Sequence, residues 1–105
     1  MAQFDVHRSP NRARTSTPYL LVIQRERYDS TPYRVTVPLI LSSEFRHLDR
    51  HLNPAFTIED KQVVMDPLNI VTLPVKVLGA PIDNLAKHAM AIVRAIDELI
   101  AQSTN

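Results

Sequence analysis

The chain has 105 residues, 45% apolar and 22% charged, a balance typical of one folded unit and not of a disordered chain. It has no cysteine, which excludes disulfides, thiol nucleophiles and cysteine-based zinc or iron–sulfur sites. The formal net charge is +1, so no global field draws the chain to nucleic acid or to an anionic membrane. No apolar run approaches a membrane span, and Met1-Ala2-Gln3-Phe4-Asp5 has no signal-peptide core. The expectation is a cytoplasmic protein folded as one domain over residues 1–105.

Gly79 is the one glycine among eight prolines. A glycine-rich phosphate loop cannot be written with it, so nucleotide-binding fingerprints are excluded. Most turns must be built by Pro, Asn, Asp and Ser. Gln3 to His7 alternates with period two, as a half-buried strand does. Ser9 to Pro18 is polar, with two prolines and two arginines, and reads as an exposed loop. Tyr19 to Gln24 is a compact apolar run, expected to form a central strand. Asp29-Ser30-Thr31-Pro32 then leads into Arg34-Val35-Thr36-Val37, a second alternating run ending at Pro38.

Phe45, Leu48 and Leu52 have helical spacing, so a short helix is expected within 42–52. Phe56-Thr57-Ile58 and Gln62-Val63-Val64-Met65 read as a hairpin turned by Glu59-Asp60-Lys61. Thr72 to Val77 is the last β-like run. Pro38 and Pro74 both sit in such runs, and because proline cannot donate to a ladder they belong at edges, bulges or corners. From Ile82 the period changes. Ile82, Leu85, Ala89, Ile92, Val93, Ile96, Leu99 and Ile100 fall on one helical stripe. The spacing predicts a helix over about 83–101, capped by Asp83 or Asn84. The expected class is α+β, mainly β: a small curled sheet or partly open barrel with a C-terminal helix.

Residues 1–50 hold eight arginines against five acids, and residues 51–105 hold four basic residues against six acids. The basic half could receive an acidic partner. His47 and His51 would share a helix face, but a third metal ligand is missing, so no metal is expected. Ser42-Ser43-Glu44 and Glu59-Asp60 offer catalytic residue types without a recognisable spacing. Arg25, Arg27 and His7 are of the kinds that cleave RNA on small barrels. Tyr19, Tyr28 and Tyr33 lie among the arginines, yet the small net charge argues against direct nucleic-acid contact. No catalytic residue and no cofactor is expected.

Several segments together resemble the CcdB family of toxins. They are Gln3-Phe4 and Val6; Gln24, Asp29 and Arg34; Val37-Pro38-Leu39; Leu52 and Pro54; Met65; Leu73-Pro74-Val75 with Leu78-Gly79. In the helix they are Leu85, Ile92, Ala95-Ile96 and Leu99. The resemblance implies an SH3-like curled β-barrel with a small extra sheet and a C-terminal α-helix, assembled as a symmetric homodimer. It implies a poison rather than an enzyme: a toxin that binds the DNA gyrase A subunit and traps the cleaved gyrase–DNA complex. It also implies neutralisation by an antitoxin with an acidic, disordered C-terminal segment, for which Arg8, Arg12 and Arg14 are candidate contacts.

By the same resemblance, the target-binding positions are Gln3, Phe4, Arg25, Arg27, Tyr28, Asp97, Ile100, Ala101, Gln102 and Ser103. Ile23, Thr72 and Pro74 would lie near the dimer axis. The chain departs from the toxic pattern at its end, where Ala101, Gln102 and Ser103 stand in place of Trp-Gly-Ile. Two alternatives stay open: a homologue that binds antitoxin without poisoning, and an RNA-directed toxin on the same fold.

Overall fold

The computed structural model describes residues 2–10 and 16–101. It has strands β1 (Asp5–Arg8), β2 (Tyr19–Val22), β3 (Tyr33–Leu41), β4 (Ala55–Ile58), β5 (Lys61–Met65), β6 (Val71–Pro74) and β7 (Asp83–Asn84), then helix α1 (Ala89–Ile100). All pairings are antiparallel, in the order β4-β5-β3-β2-β1-β7, with β6 branching from β3. The sheet curls into a nearly closed barrel. Phe56, Leu85 and His88 stand at the opening between β4 and β7. The mainly-β α+β architecture is the expected one.

β3 explains how a proline survives mid-strand. One edge of β3 pairs with β2, while the other pairs with β6 over residues 33–36 and with β5 over residues 39–41. The Val35 carbonyl accepts from Ile23 on the β2 side, and the Pro38 carbonyl accepts from Asp66 on the other side. The Pro38 nitrogen therefore faces the seam where β6 gives way to β5, and no ladder bond is lost. Pro74 closes β6, which pairs only with β3 among the described strands.

The core follows the period-two pattern. Val6, Tyr19, Leu21, Val37, Leu39, Phe56, Ile58, Val63 and Met65 point inward from the strands, and Leu85, Ile92 and Ala95 cover them. Leu20 and Val22 face the other way and pack with Leu78 and Leu73. β2 is thus buried on both faces, as expected of a central strand. His7 is also fully buried. Its Nδ1 lies 2.8 Å from the Gly79 carbonyl, which can only accept, so Nδ1 carries the proton.

Three expectations are corrected. The last helix begins at Ala89 and not at 83: Asp83 and Asn84 pair with Val6 and Asp5, and Ala86–His88 form one 3-10 turn. The apolar spacing from Ile82 fits a helix, but bonds from the Ile82 and Leu85 N–H groups to Val6 and Phe4 hold this stretch against β1. Residues 42–52 form no α-helix, only a 3-10 turn at Ser42–Glu44 and a turn in which Leu52 and Asn53 donate to the Asp49 carbonyl. His47 and His51 are exposed there and share no helix face. The β-like run at 72–77 ends at Pro74, and Val75–Val77 form a 3-10 turn.

The β4–β5 hairpin turns on Glu59 and Asp60, with Ile58 opposite Lys61. Both turn residues have positive φ, 50° and 65°, as a two-residue hairpin turn that follows the strand twist requires. Among the described residues the left-handed positions thus fall on Phe4, Glu59 and Asp60, and not on the glycine.

Candidate functional site

The connection from β2 to β3 carries three of the expected target-binding residues, and its geometry is built by buried polar groups. Glu26–Tyr28 make one 3-10 turn, with the Tyr28 and Asp29 N–H groups donating to Arg25 and Glu26 carbonyls. Arg34, at the start of β3, is only 5% exposed. Its Nη1 donates to the Thr31 and Tyr33 carbonyls, both at 2.8 Å, and its Nη2 donates to the Asp29 carbonyl at 3.2 Å. The Asp29 carboxylate lies 3.5 Å from Arg34 Nε and supplies the countercharge. Nη1 and Nη2 are thus hydrogen-bonded, while the buried Nε makes no hydrogen bond and is balanced by the Asp29 charge beside it.

Gln24 completes the brace. Its Oε1 accepts from Val35 N–H at 3.1 Å, and its Nε2 donates to the Tyr28 and Tyr33 carbonyls at 3.1 and 3.3 Å. The Thr31 hydroxyl bonds the same two carbonyls. The result is a loop fixed from below whose outer side chains are exposed: Arg25, Arg27, Tyr28 and Tyr33. The Arg27 guanidinium lies 6.0 Å from the Tyr28 ring centroid. The Val75 N–H donates to the Pro32 carbonyl, joining the turn after β6 to the end of the loop.

Other expected residues lie elsewhere or serve the fold. Gln3 Nε2 donates to the Ile23 carbonyl at 3.0 Å, tying the N-terminus to the base of the loop. Phe4 is buried in the core with its N–H bonded to the Val22 carbonyl. Ile23 is half-buried, packed on the core, and Thr72 and Pro74 lie on the β6 edge. Asp97 and Ala101 line a cleft of about 410 Å³ with Arg50, His51, Arg94 and Glu98. Ile100 is exposed at the end of α1. Arg12, Arg14, Gln102 and Ser103 lie outside the described residues.

Arg8 is engaged by the chain's own carboxylate. Its Nη1 and Nη2 donate to Glu59 Oε1 and Oε2 at 2.7 and 2.6 Å, and the Tyr19 hydroxyl donates to the same Oε1 at 2.7 Å. The Arg8 hydrogen bonds, then that from Tyr19, hold the Glu59 carboxyl below its ordinary range. Burial, then the hydrogen bond to Glu59, pushes the Tyr19 phenol up to about 12. This cluster pins the left-handed hairpin tip to β1 and β2. Among the described residues no group of side chains is arranged to hold a metal, and no helix is long and apolar enough to cross a membrane.

The braces themselves were the residues missed as site builders. Gln24, Asp29 and Arg34 belong to the set that resembles the CcdB pattern, but nothing in their spacing signals that they converge under the loop. Tyr33 joined the exposed set only through the fold.

The fold is shared with solved structures. It is similar to "Endoribonuclease in complex with its cognate antitoxin from Mycobacterial species", with a TM-score of 0.77 at 18% identity over 100% of this chain and 99% of that one. It is also similar to the Mycobacterium tuberculosis toxin MazF-mt6, with a TM-score of 0.64 at 20% identity over 94% of this chain and 98% of that one. No curated protein sequence matches the chain. The model of the CcdB protein family matches residues 3–101. The chain belongs to the CcdB family, the toxins of toxin–antitoxin modules.

Proposed function

We propose that this chain is a toxin that binds the DNA gyrase A subunit and traps the gyrase–DNA cleavage complex, acting by binding and not by catalysis. One observation carries the reading. Gln24, Asp29 and Arg34, residues on which the family resemblance rests, brace the loop that presents Arg25, Arg27 and Tyr28. A buried polar network of this kind stabilises one conformation of an exposed surface and lowers the entropy lost on binding.

The toxin works as a homodimer in this reading, with Ile23, Thr72 and Pro74 near the two-fold axis. The one-sided β6 edge and the exposed Leu68, Ile70 and Val71 support an interface there. The antitoxin's acidic segment docks in the part of a cleft of about 420 Å³ formed by Leu20, Pro38 and Ile40, its Ile70 and Val71 being covered by the partner protomer in the dimer. Ser9, Pro10 and Thr17 line the same cleft, and Arg12 and Arg14 lie between them in sequence. Arg8 contributes only if a partner carboxylate displaces Glu59.

The test is DNA cleavage and supercoiling by gyrase from the source organism. Stabilised cleavage complexes with the native chain are the expected result. Poisoning only after Trp-Gly-Ile is installed at positions 101–103 would leave the native chain a binder that does not poison. Silence from both, with cleavage of added RNA, would favour the RNA-directed reading that fold similarity to an endoribonuclease suggests.

A further inference from the structure

The two ends of the sheet, β4 and β7, face each other across the barrel opening, and they are finished differently. β7 keeps its donors occupied. The Asn84, Leu85 and Ala86 N–H groups donate to Asp83 Oδ1, the Phe4 carbonyl and Asn84 Oδ1. On β4, the Pro54 carbonyl accepts from the Met65 N–H at 3.0 Å, and the same register continues through Phe56 opposite Val63 and Ile58 opposite Lys61. Alternation along an antiparallel ladder then turns the N–H and C=O groups of Ala55 and Thr57 away from β5. Among the described residues nothing bonds these four groups. Native edges are commonly blunted by lysine, proline or a bulge, and Ala55–Ile58 carries none of them.

We propose that β4 is a strand-addition site: an extended segment of another protein pairs antiparallel with Ala55–Ile58, its apolar residues directed at Phe56 and Leu85 and its alternate residues acidic. Two N–H and two C=O groups at strand spacing are what an extended main chain matches, and pockets for alternate side chains add selectivity. The cleft beside the edge, of about 300 Å³, has Ala55 to Thr57 on one wall and Asp83, Leu85, Lys87 and His88 on the other. The His88 ring lies 5.2 Å from the Phe56 ring, giving the cleft an aromatic floor. With β7 and the Ala86–His88 turn as its far wall, the cleft has no place for β5 of a second copy beside that copy's β4. Lys87 is exposed at the mouth and pairs with no described carboxylate, while Asp83 accepts from the Asn84 N–H. An acidic side chain on the incoming strand complements Lys87. This inference goes beyond the gyrase reading, and its test uses no gyrase.

The test is amide hydrogen exchange, followed by nuclear magnetic resonance on the full chain, with and without an octapeptide of alternating Val and Glu. In the free chain the Ala55 and Thr57 amides should exchange freely, while β5 protects those of Phe56 and Ile58. The peptide should slow exchange at Ala55 and Thr57 by at least about tenfold. The pairing puts the Glu residues opposite Ala55 and Thr57, so the Glu N–H groups carry the new bonds. N-methylation of the Glu amides should therefore abolish binding, and N-methylation of the Val amides should leave it. Both peptides leave the protein untouched. Thr57→Pro removes an edge donor that the ladder does not use and should weaken binding at least about tenfold, while Thr57→Val should bind like the native chain. Lys87→Glu should weaken binding about threefold. Binding without protection at Ala55 and Thr57 would overturn the proposal. So would equal loss from the two methylated peptides, or no binding of the native chain at millimolar peptide.

Discussion

The loop after β2 and the C-terminal helix are both expected target-binding regions, and they are built in opposite ways. The loop exposes polar and aromatic side chains over a buried arginine whose two Nη groups donate to loop carbonyls. The helix buries only Ile92 and Ala95, leaving Met90 at 71% and Ile100 at 73% exposed. In the loop, buried polarity fixes an exposed surface in advance. On the helix, exposed apolar area lacks cover within the chain, which is the signature of an interface awaiting a partner.

Replacing the brace should produce the largest effect. Arg34→Met removes the cation beside the Asp29 carboxylate and the three bonds to the Thr31, Tyr33 and Asp29 carbonyls together, a loss of about 3 to 5 kcal/mol. Urea denaturation should show it, with Arg34→Lys recovering only part, since an ammonium cannot reproduce the fork. Next comes the inner face of the helix. Ile92→Ala should cost about 2 to 4 kcal/mol through lost burial and the cavity left behind. On the outer face, Met90→Ser should change stability by less than about 0.5 kcal/mol. Light scattering would sharpen the contrast: the native chain is expected near twice its 11.9 kDa mass. A mass near 12 kDa at micromolar concentration would remove the dimer.

The hairpin tip gives smaller effects. Glu59 is held below its ordinary pKa of 4.5 by Arg8 and Tyr19. The folded state therefore binds fewer protons there than the unfolded chain, so the stabilisation is complete above about pH 4.5 and fades as pH falls through the folded value. Thermal unfolding between about pH 6 and pH 3 should show a steeper decline for the native chain than for Glu59→Gln. Asp60→Gly, at φ 65°, should stabilise by up to about 1 kcal/mol, since glycine adopts that region without penalty. Glu59→Gly gains the same freedom but loses the Arg8 clamp, so it should not stabilise.

The strands were legible because alternation of Phe56, Ile58, Val63 and Met65 leaves one register that fills the core. The continuation of β3 through Pro38 was not, because only the change of neighbours from β6 to β5 makes a missing donor harmless there. The stripe from Ile82 to Leu85 looked helical because residues three apart share a helix face, while the pairing that overrides it comes from β1, far away in sequence. As target-binding residues, the loop's exposed Arg25, Arg27 and Tyr28 were named from resemblance alone. Burial of Arg34 gave no signal, since an arginine in a β-like run reads as solvent-facing until its partners are placed.

The claim at the centre is that the braced loop is the working surface of the toxin. The most direct measurement is a titration of gyrase–DNA cleavage complexes with the native chain and with Gln24→Ala. That variant keeps every exposed side chain of the loop and removes the Gln24 bonds to the Tyr28 and Tyr33 carbonyls and to the Val35 N–H, leaving only Thr31 to link the two carbonyls. Cleavage complexes with the native chain, and at least about tenfold more variant needed for the same yield at an unchanged circular-dichroism spectrum, are the expected result. Equal potency of the two chains, or no cleavage complex with either, would contradict it.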